Sequence, residues 1–225
     1  RSPMVMDINF EGENYILINN HFKCCGDGVI DFNDSSDEEN RRYTAMNLIK
    51  EYIDSNLSNN NVIVMGDLND DIAEESLNNV FQNILDDSLN YRFLDLEIAQ
   101  GNSDNWSFPN WPSHLDHILI TNELFNFVNH LETQTIKIDE YLDGGWYEYD
   151  QNISDHRPVG TKISFNSLPF YDMNADGIVD DSDIITLIAF VINDIETHDF
   201  ADINSDSVID IFDLIILINF FQENN

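Results

Sequence analysis

Positive charge is scarce in this chain of 225 residues: nine Lys and Arg stand against 43 Asp and Glu, for a formal net charge of −34. That excludes a nucleic-acid binder built on a generic basic patch, and a basic helix lying on a membrane surface. Long apolar runs are also missing. The longest, Leu214 to Phe221, is broken by Asn219, so no membrane span is expected. Cysteine is limited to Cys24 and Cys25, which are adjacent and cannot form a loop-closing disulfide framework. We read them as structural. There is no signal-peptide pattern and no initiator Met; Arg1 leads directly into a strand-like segment, Met4 to Ile8, which predicts that the chain begins partway through a longer protein. What the sequence does have is a 42% hydrophobic and 12% aromatic content, enough for a packed core. The acidity itself also admits a plain reading, solubility in saline or cold water.

Charge divides the chain. Thirteen of the 43 acidic residues and none of the nine basic ones lie after residue 165, leaving −21 upstream and −13 downstream. The seam Asn166-Ser167-Leu168-Pro169 is short, polar and proline-containing, which suits a linker between domains at 1–165 and 166–225. Upstream, Tyr15 to Asn19 and Val62 to Met65 are β-branched runs of the buried-strand kind, and His117 to Ile120 and Val159 to Ile163 read as later strands. Ala45, Ile49, Tyr52, Ile53 and Leu57 keep helical spacing behind Ser36 and a cluster of acids suited to a helix start. Glu75 to Leu85 predicts a second helix with Leu77, Val80, Phe81 and Ile84 on one face. The fold class is therefore α/β (α+β).

Downstream, residues 172–193 and 202–223 align without gaps at an offset of thirty residues. Asp172, Asn174, Asp176, Asp180 and Asp183 recur as Asp202, Asn204, Asp206, Asp210 and Asp213. These are positions 1, 3, 5, 9 and 12 of a loop that can converge hard oxygen ligands on one calcium ion, with the carbonyls of Ile178 and Val208 at position 7. Gly177 at position 6 permits the sharp bend; its counterpart is Ser207, which predicts a strained or weaker second site. Each loop runs into an apolar helix face, Ile184, Leu187, Ile188 and Val191 in one repeat and Leu214, Leu217, Ile218 and Phe221 in the other, so the two repeats are expected to pack on each other. Position 12 is Asp where the ordinary EF-hand has Glu, and Ser167 to Tyr171 is too short for an entering helix. The arrangement resembles the type I dockerin module. That resemblance implies a small all-α domain holding two Ca2+ ions and docking onto a cohesin-like scaffold protein through residues 166–225. The partner-choice positions, Asp181-Ser182 and Ile211-Phe212, differ between the repeats and assign no cohesin type.

Upstream, short polar clusters sit at predicted strand ends, where sheet proteins assemble their sites. They are Asn20-His21, Gly66-Asp67-Leu68-Asn69, Leu115-Asp116-His117-Ile118 and Ser154-Asp155-His156-Arg157-Pro158-Val159. Together they supply histidines poised near neutrality, hard carboxylate oxygens and an amide, an inventory suited to metal-assisted attack on phosphorus. In this order they resemble the endonuclease/exonuclease/phosphatase superfamily, the fold of deoxyribonucleases, across residues 1–165. The resemblance implies the second half of a two-sheet, four-layer sandwich. It also implies that His21 contacts or protonates the scissile phosphate, and that Asp67 orients or deprotonates the attacking water. Asn69 would bind a phosphate oxygen or help place that water, and Asp116 would hold the ring of His156. Asp155 would ligate Mg2+ or Mn2+, and His156 would stabilise the transition state or act as general base. A metal-ligating glutamate and an asparagine of that superfamily have no counterpart before Tyr15. They are expected upstream of Arg1, which predicts little activity for these 225 residues alone.

The neighbouring residues carry plainer expectations. His114 and His117 are read as surface or packing residues, and Asp70 and Asp71 as solvated. Trp106, Phe108, Trp111 and Pro112 fit either a base-stacking platform or a loop packed on the sheet edge. The functional expectation is a secreted or cell-surface metal-dependent phosphodiesterase, a nuclease acting on nucleic acid. The alternatives are a phosphatase or lipid phosphodiesterase of the same fold, or an inactive calcium-dependent interaction module. The −21 upstream opposes electrostatic capture of DNA, although a bound divalent ion reverses the local field.

Overall fold

The structure is a computed structural model, and it describes residues 2–10, 12–127, 133–163, 171–174, 179–193, 201–204 and 208–223. Contacts divide the chain into two compact units, residues 1–163 and 164–225. The seam predicted at 166–169 lies outside the described residues.

In the first unit the chain opens with β1 (Met4–Phe10) and β2 (Glu13–His21), an antiparallel hairpin. Helix α1 (Glu38–Asn56) then carries the chain across to β3 (Asn61–Asp67), which lies parallel to β2, as a strand–helix–strand crossover requires. After the short α2 (Gln82–Leu85) come β4 (Tyr91–Phe93), α3 (Leu96–Gln100) and β5 (Asp116–Thr121). Among the described residues these strands form one sheet in the order β1-β2-β3-β5-β4, with β3/β5 and β5/β4 antiparallel. A two-residue ladder, β6 (Gln134–Thr135) with β7 (Val159–Gly160), flanks α4 (Gly145–Asn152) in sequence. The mixed α/β class read from the sequence is the one observed.

Helix α1 starts on Asp37, whose side chain accepts a hydrogen bond from the backbone N–H of Asn40 at 2.7 Å. Its buried stripe is Glu39, Arg42, Met46, Ile49 and Ile53, a three–four alternation that presents one face to the sheet. Ile18, Val62, Val64 and Leu119 from the strands, Val80 and Phe81 before α2 and Ile84 within it close the core beneath it. The helix is as predicted but its face is rotated. Tyr52, expected inside, is 49% exposed, and two charged residues occupy the first turns of the stripe.

Three expectations fail here. The helix expected over Glu75–Leu85 shrinks to Gln82–Leu85, and Leu77 is exposed. The cause is Asn79, buried, whose side-chain amide donates to the carbonyls of Ile72 and Glu74 while its oxygen accepts from the N–H of Phe81. A side chain bonded to the backbone in this way competes with helix hydrogen bonds. The last strand stops at Gly160 because its partner β6 is only two residues long. Cys24 and Cys25 are exposed free thiols rather than structural residues. No helix of the described residues is long and apolar enough to cross a membrane.

In the second unit α5 (Asp181–Asn193) and α6 (Ile211–Glu223) pack together. Leu187 and Leu217, one from each repeat, are fully buried with Met173 and Ala201. The repeat is also a repeat of hydrogen bonds. Asp183 accepts from the N–H groups of Asn174 and Asp180 at 3.2 and 2.8 Å, and Asp213 accepts from those of Asn204 and Asp210 at 3.1 and 2.8 Å. Asp180 and Asp210 cap the two helices through the N–H groups of Ser182 and Phe212. Of the loop positions named from the sequence, Asp176, Gly177, Ile178, Asp206 and Ser207 lie outside the described residues.

Candidate active site

Sheet register builds the first part of the site. His21 ends β2 directly opposite Asp67 at the end of β3, and Asp67 is opposite Asp116 at the start of β5. Residues directly paired across strands project on the same side of the sheet, so three consecutive strands put three functional side chains in one row. Gly66 permits the approach. Its φ is +127°, and a Cβ there would lie 2.0 Å from the carbonyl oxygen of Asn20.

His156 enters this row from the loop before β7. Its Nδ1 is 2.6 Å from Asp116 Oδ2. Because a carboxylate only accepts, Nδ1 donates and Nε2 is turned to the opening. Asp67 Oδ2 faces both imidazoles, 3.6 Å from His21 Nε2 and 4.0 Å from His156 Nε2, distances longer than a hydrogen bond. Asp67, Asp116 and His156 each offer a ligand atom within 4.8 Å of the others. Burial, and then the charge of Asp116, push Asp67 above the usual carboxylate range against the pull of His156 and His21. Burial works to lower the pKa of His156, but the hydrogen bond and charge of Asp116 outweigh it and the net shift is upward. Two carboxylates facing each other across a half-buried row form a site electrically suited to a hard divalent cation, and the donor set of carboxylates and imidazole fits Mg2+ or Mn2+.

Asn69, with φ +58°, turns its backbone N–H onto Asp67 Oδ1 at 3.0 Å and so fixes the carboxylate's orientation. Asp155 stands exposed beside His156, outside the Asp67–Asp116–His156 group. The structure thus brings His21, Asp67, Asn69, Asp116 and His156 together and leaves Asp155 at the rim.

Several supporting residues are not legible as motifs. Ser107, fully buried, accepts the N–H groups of Leu115 and Asp116 on its Oγ at 3.1 and 3.2 Å. Its carbonyl receives the N–H of Arg157 at 2.7 Å, joining the two loops that carry Asp116 and His156. Arg157 grips Asp139 with two hydrogen bonds, 2.9 and 2.5 Å, and holds the His156 loop in place. The one available signal was a lone base inside an acidic motif. Phe108 lies against the His156 ring, with centroids 4.8 Å apart, while Trp106 is tied to the carbonyl of Ile98 and Trp111 is exposed. That aromatic cluster is therefore divided between site wall and loop packing.

His114 and His117 are buried packing residues, but they are also a charge network. Asp95 Oδ2 is 3.0 Å from His114 Nε2 and 2.6 Å from His117 Nδ1, and Asp95 Oδ1 accepts the N–H of Ile118. His117 Nε2 meets the carbonyl of Asp70 at 2.7 Å. Both nitrogens of His117 face groups that only accept, so His117 is an imidazolium. Burial opposes that charge, and Asp95 overcomes it, raising the pKa. Burial would likewise raise Asp95, but the charge of His117 and the two histidine hydrogen bonds hold it well below the usual carboxylate range. Asp70, expected to be solvated, is buried against Arg42 Nε at 2.7 Å.

Residues 1–140 match the Endonuclease/Exonuclease/phosphatase family. The chain belongs to that family. The match ends before Ser154, so it includes neither Asp155 nor His156. No curated protein matches the sequence. Among solved structures, D. rerio TDP2 complexed with single strand DNA product is similar at 15% identity, with 69% of this chain and 58% of that one covered and a TM-score of 0.47. The human Nocturnin catalytic domain with bound sulfate is similar at 17% identity, over 56% of this chain and 41% of that one, with a TM-score of 0.38. Beta toxin from Staphylococcus aureus is similar at 18% identity, over 70% and 56%, with a TM-score of 0.36. The chain spans about half the length of these structures.

Proposed function

We propose that the first unit hydrolyses phosphodiester bonds with a divalent metal ion, acting as a nuclease, and that the second is a dockerin-like calcium module that anchors it to a cohesin-like scaffold. The observation that carries the hydrolytic reading is the row His21–Asp67–Asp116, completed by His156 locked on Asp116. In this reading Asp116 fixes the ring of His156, so that Nε2 meets the scissile phosphate and carries or removes a proton there. Asp67, whose pKa is raised, takes the proton of the attacking water. His21 faces the phosphate from the other side, and Asn69, besides orienting Asp67, contacts a phosphate oxygen. Mg2+ or Mn2+, held at the Asp67–Asp116–His156 group with Asp155 at its rim as the further ligand the resemblance implies, would supply charge neutralisation at the phosphoryl oxygens.

The four-layer sandwich belongs to the same proposal. The sheet face carrying Met4, Met6, Leu17, Met65 and Ile118 lines a cavity of about 260 Å³, an apolar surface for a second sheet. Activity is tested on the full-length gene product with plasmid DNA, bis(p-nitrophenyl) phosphate and p-nitrophenyl phosphate in Mg2+ or Mn2+. The nuclease reading expects cleavage of the first two, abolished by EDTA. Turnover of the monoester alone would favour the phosphatase reading.

For the second unit the support is the thirty-residue repeat together with its repeated hydrogen bonds to Asp183 and Asp213, which tie the start of each loop to its end. We assign Asp172, Asn174, Asp176, Asp180 and Asp183 to one Ca2+, with the carbonyl of Ile178. Asp202, Asn204, Asp206, Asp210 and Asp213 take the other, with the carbonyl of Val208. Ile211 and Phe212, both more than half exposed, offer an apolar contact for the scaffold partner. Function at millimolar extracellular calcium fits such Asp- and Asn-built loops, and with it a secreted or cell-surface location. Calorimetric calcium titration should consume calcium at both loops, and chelation should reduce helix signal. Titration curves unchanged by Asp172→Ala with Asp202→Ala would contradict the assignment.

A further inference from the structure

We propose a calcium site outside both units' assigned sites, formed by Asp27, Asp37 and Glu39 where the segment leaving His21 meets the start of α1. One carboxylate oxygen from each lies within 4.8 Å of the others. An acidic cluster alone would mean little in so acidic a chain. The decisive feature is Glu39. It is 2% exposed, and its Oε2 is buried with no hydrogen-bond partner. A buried carboxylate oxygen without a partner is costly, and native folds leave few of them.

The other bonds of the three side chains show what they leave over. Glu39 Oε1 accepts the N–H of Gly28 at 2.8 Å and faces Arg42 at 3.2 Å. Asp37 Oδ1 is the N-cap of α1, and Asp27 Oδ1 accepts the N–H of Val29 at 3.1 Å. Each residue is thus oriented through one oxygen. The Glu39 carboxyl packs directly on Gly26, where an added Cβ would lie 1.9 Å from Oε1 and 2.4 Å from Oε2, and Asp27 follows in sequence.

Arg42 neutralises the group only in part, through its ion pair with Glu39 Oε1. Its guanidinium is shared with Asp70 at 2.7 Å and with the carbonyls of Lys23 and Cys25 at 2.9 and 2.6 Å. A cation here also meets the positive end of the α1 dipole, about half a charge, against three carboxylates. All the side-chain ligands are hard oxygens, two from an irregular loop and one from a helix. That flexible, loop-built set of oxygens favours Ca2+ over the tighter octahedron of Mg2+. The bound ion would tie the 22–37 segment to α1 immediately after His21.

The test uses the whole chain and its Asp27→Asn and Glu39→Gln variants. Bound calcium is counted by equilibrium dialysis, and hydrogen exchange is followed with and without Ca2+. Asp27 is exposed, so that variant retains the fold. The expectation is that each variant binds one ion fewer than wild type. Calcium should slow exchange at least tenfold across residues 26–39 in wild type only, with calcium protection across 164–225 the same in all three. Equal ion counts in wild type and Asp27→Asn, or protection of 26–39 that survives in both variants, overturns the site. Protection by Mg2+ equal to that by Ca2+ overturns the choice of ion.

Discussion

Asp95→Asn should lower the stability of the first unit by about 3–5 kcal/mol, the usual cost of removing one partner from a buried ion pair. The substitution leaves the His117 imidazolium at full burial without its counter-charge, and withdraws the acceptor from His114 and the N–H of Ile118. For a unit of this size the melting temperature should fall by about 10 °C, read by thermal denaturation at constant calcium. The effect has a defined pH window. Asp95 is held below its unfolded pKa, so its contribution is present above about pH 4 and is lost as pH falls. His117 is held above its unfolded value, so its contribution is complete below about pH 6.5 and fades as pH rises through the higher folded value. The gap between wild type and variant should therefore be widest at mildly acidic pH. A gap that is flat from pH 4 to 9 would show that the pair is not ionised.

Asp116→Asn is expected to act on turnover with little effect on folding. The carboxylate is partly exposed, and its bond to His156 Nδ1 fixes both the rotation of the ring and the proton's position. An amide there can present its NH2 to the ring and stabilise the wrong tautomer, an exchange that costs about 10⁴-fold in kcat where an Asp–His pair serves a catalytic serine. We expect a fall of about 10²–10⁴ in kcat with KM changed less than threefold, the signature of an interaction made in the transition state. An equal loss of stability and activity would instead make Asp116 a structural residue.

Much of this site was legible because its residues end strands. The β-branched runs before His21 and Asp67, and the one after Asp116, mark β2, β3 and β5. A polar motif at the end of an apolar run can be placed at a sheet edge from one sequence. The row itself was not legible, since it depends on register, and register follows from the β2–α1–β3 crossover and the antiparallel return of β5. The face of α1 was misplaced because apolar spacing was the sole guide. Glu39 and Arg42 are buried by partners at Gly28, Lys23, Cys25 and Asp70, none visible in a helical wheel. Asp70 was misread for the same reason: its partner Arg42 is 28 residues away. The 75–81 segment has helical apolar spacing, yet the side-chain bonds of Asn79 decide it locally. His117 alternates with Asp116 along β5, so that one residue faces the site and the next the core. The sequence showed the pair, but not Asp95 waiting beneath it.

The most direct test of the hydrolytic centre is His156→Ala in the full-length gene product, assayed on bis(p-nitrophenyl) phosphate with saturating Mg2+ or Mn2+. The account predicts a loss of kcat of at least about a hundredfold, with thermal stability nearly unchanged, since His156 is bonded at the surface row rather than in the core. A variant that turns over at the wild-type rate would contradict it, and would leave the row of His21, Asp67 and Asp116 without its reaction.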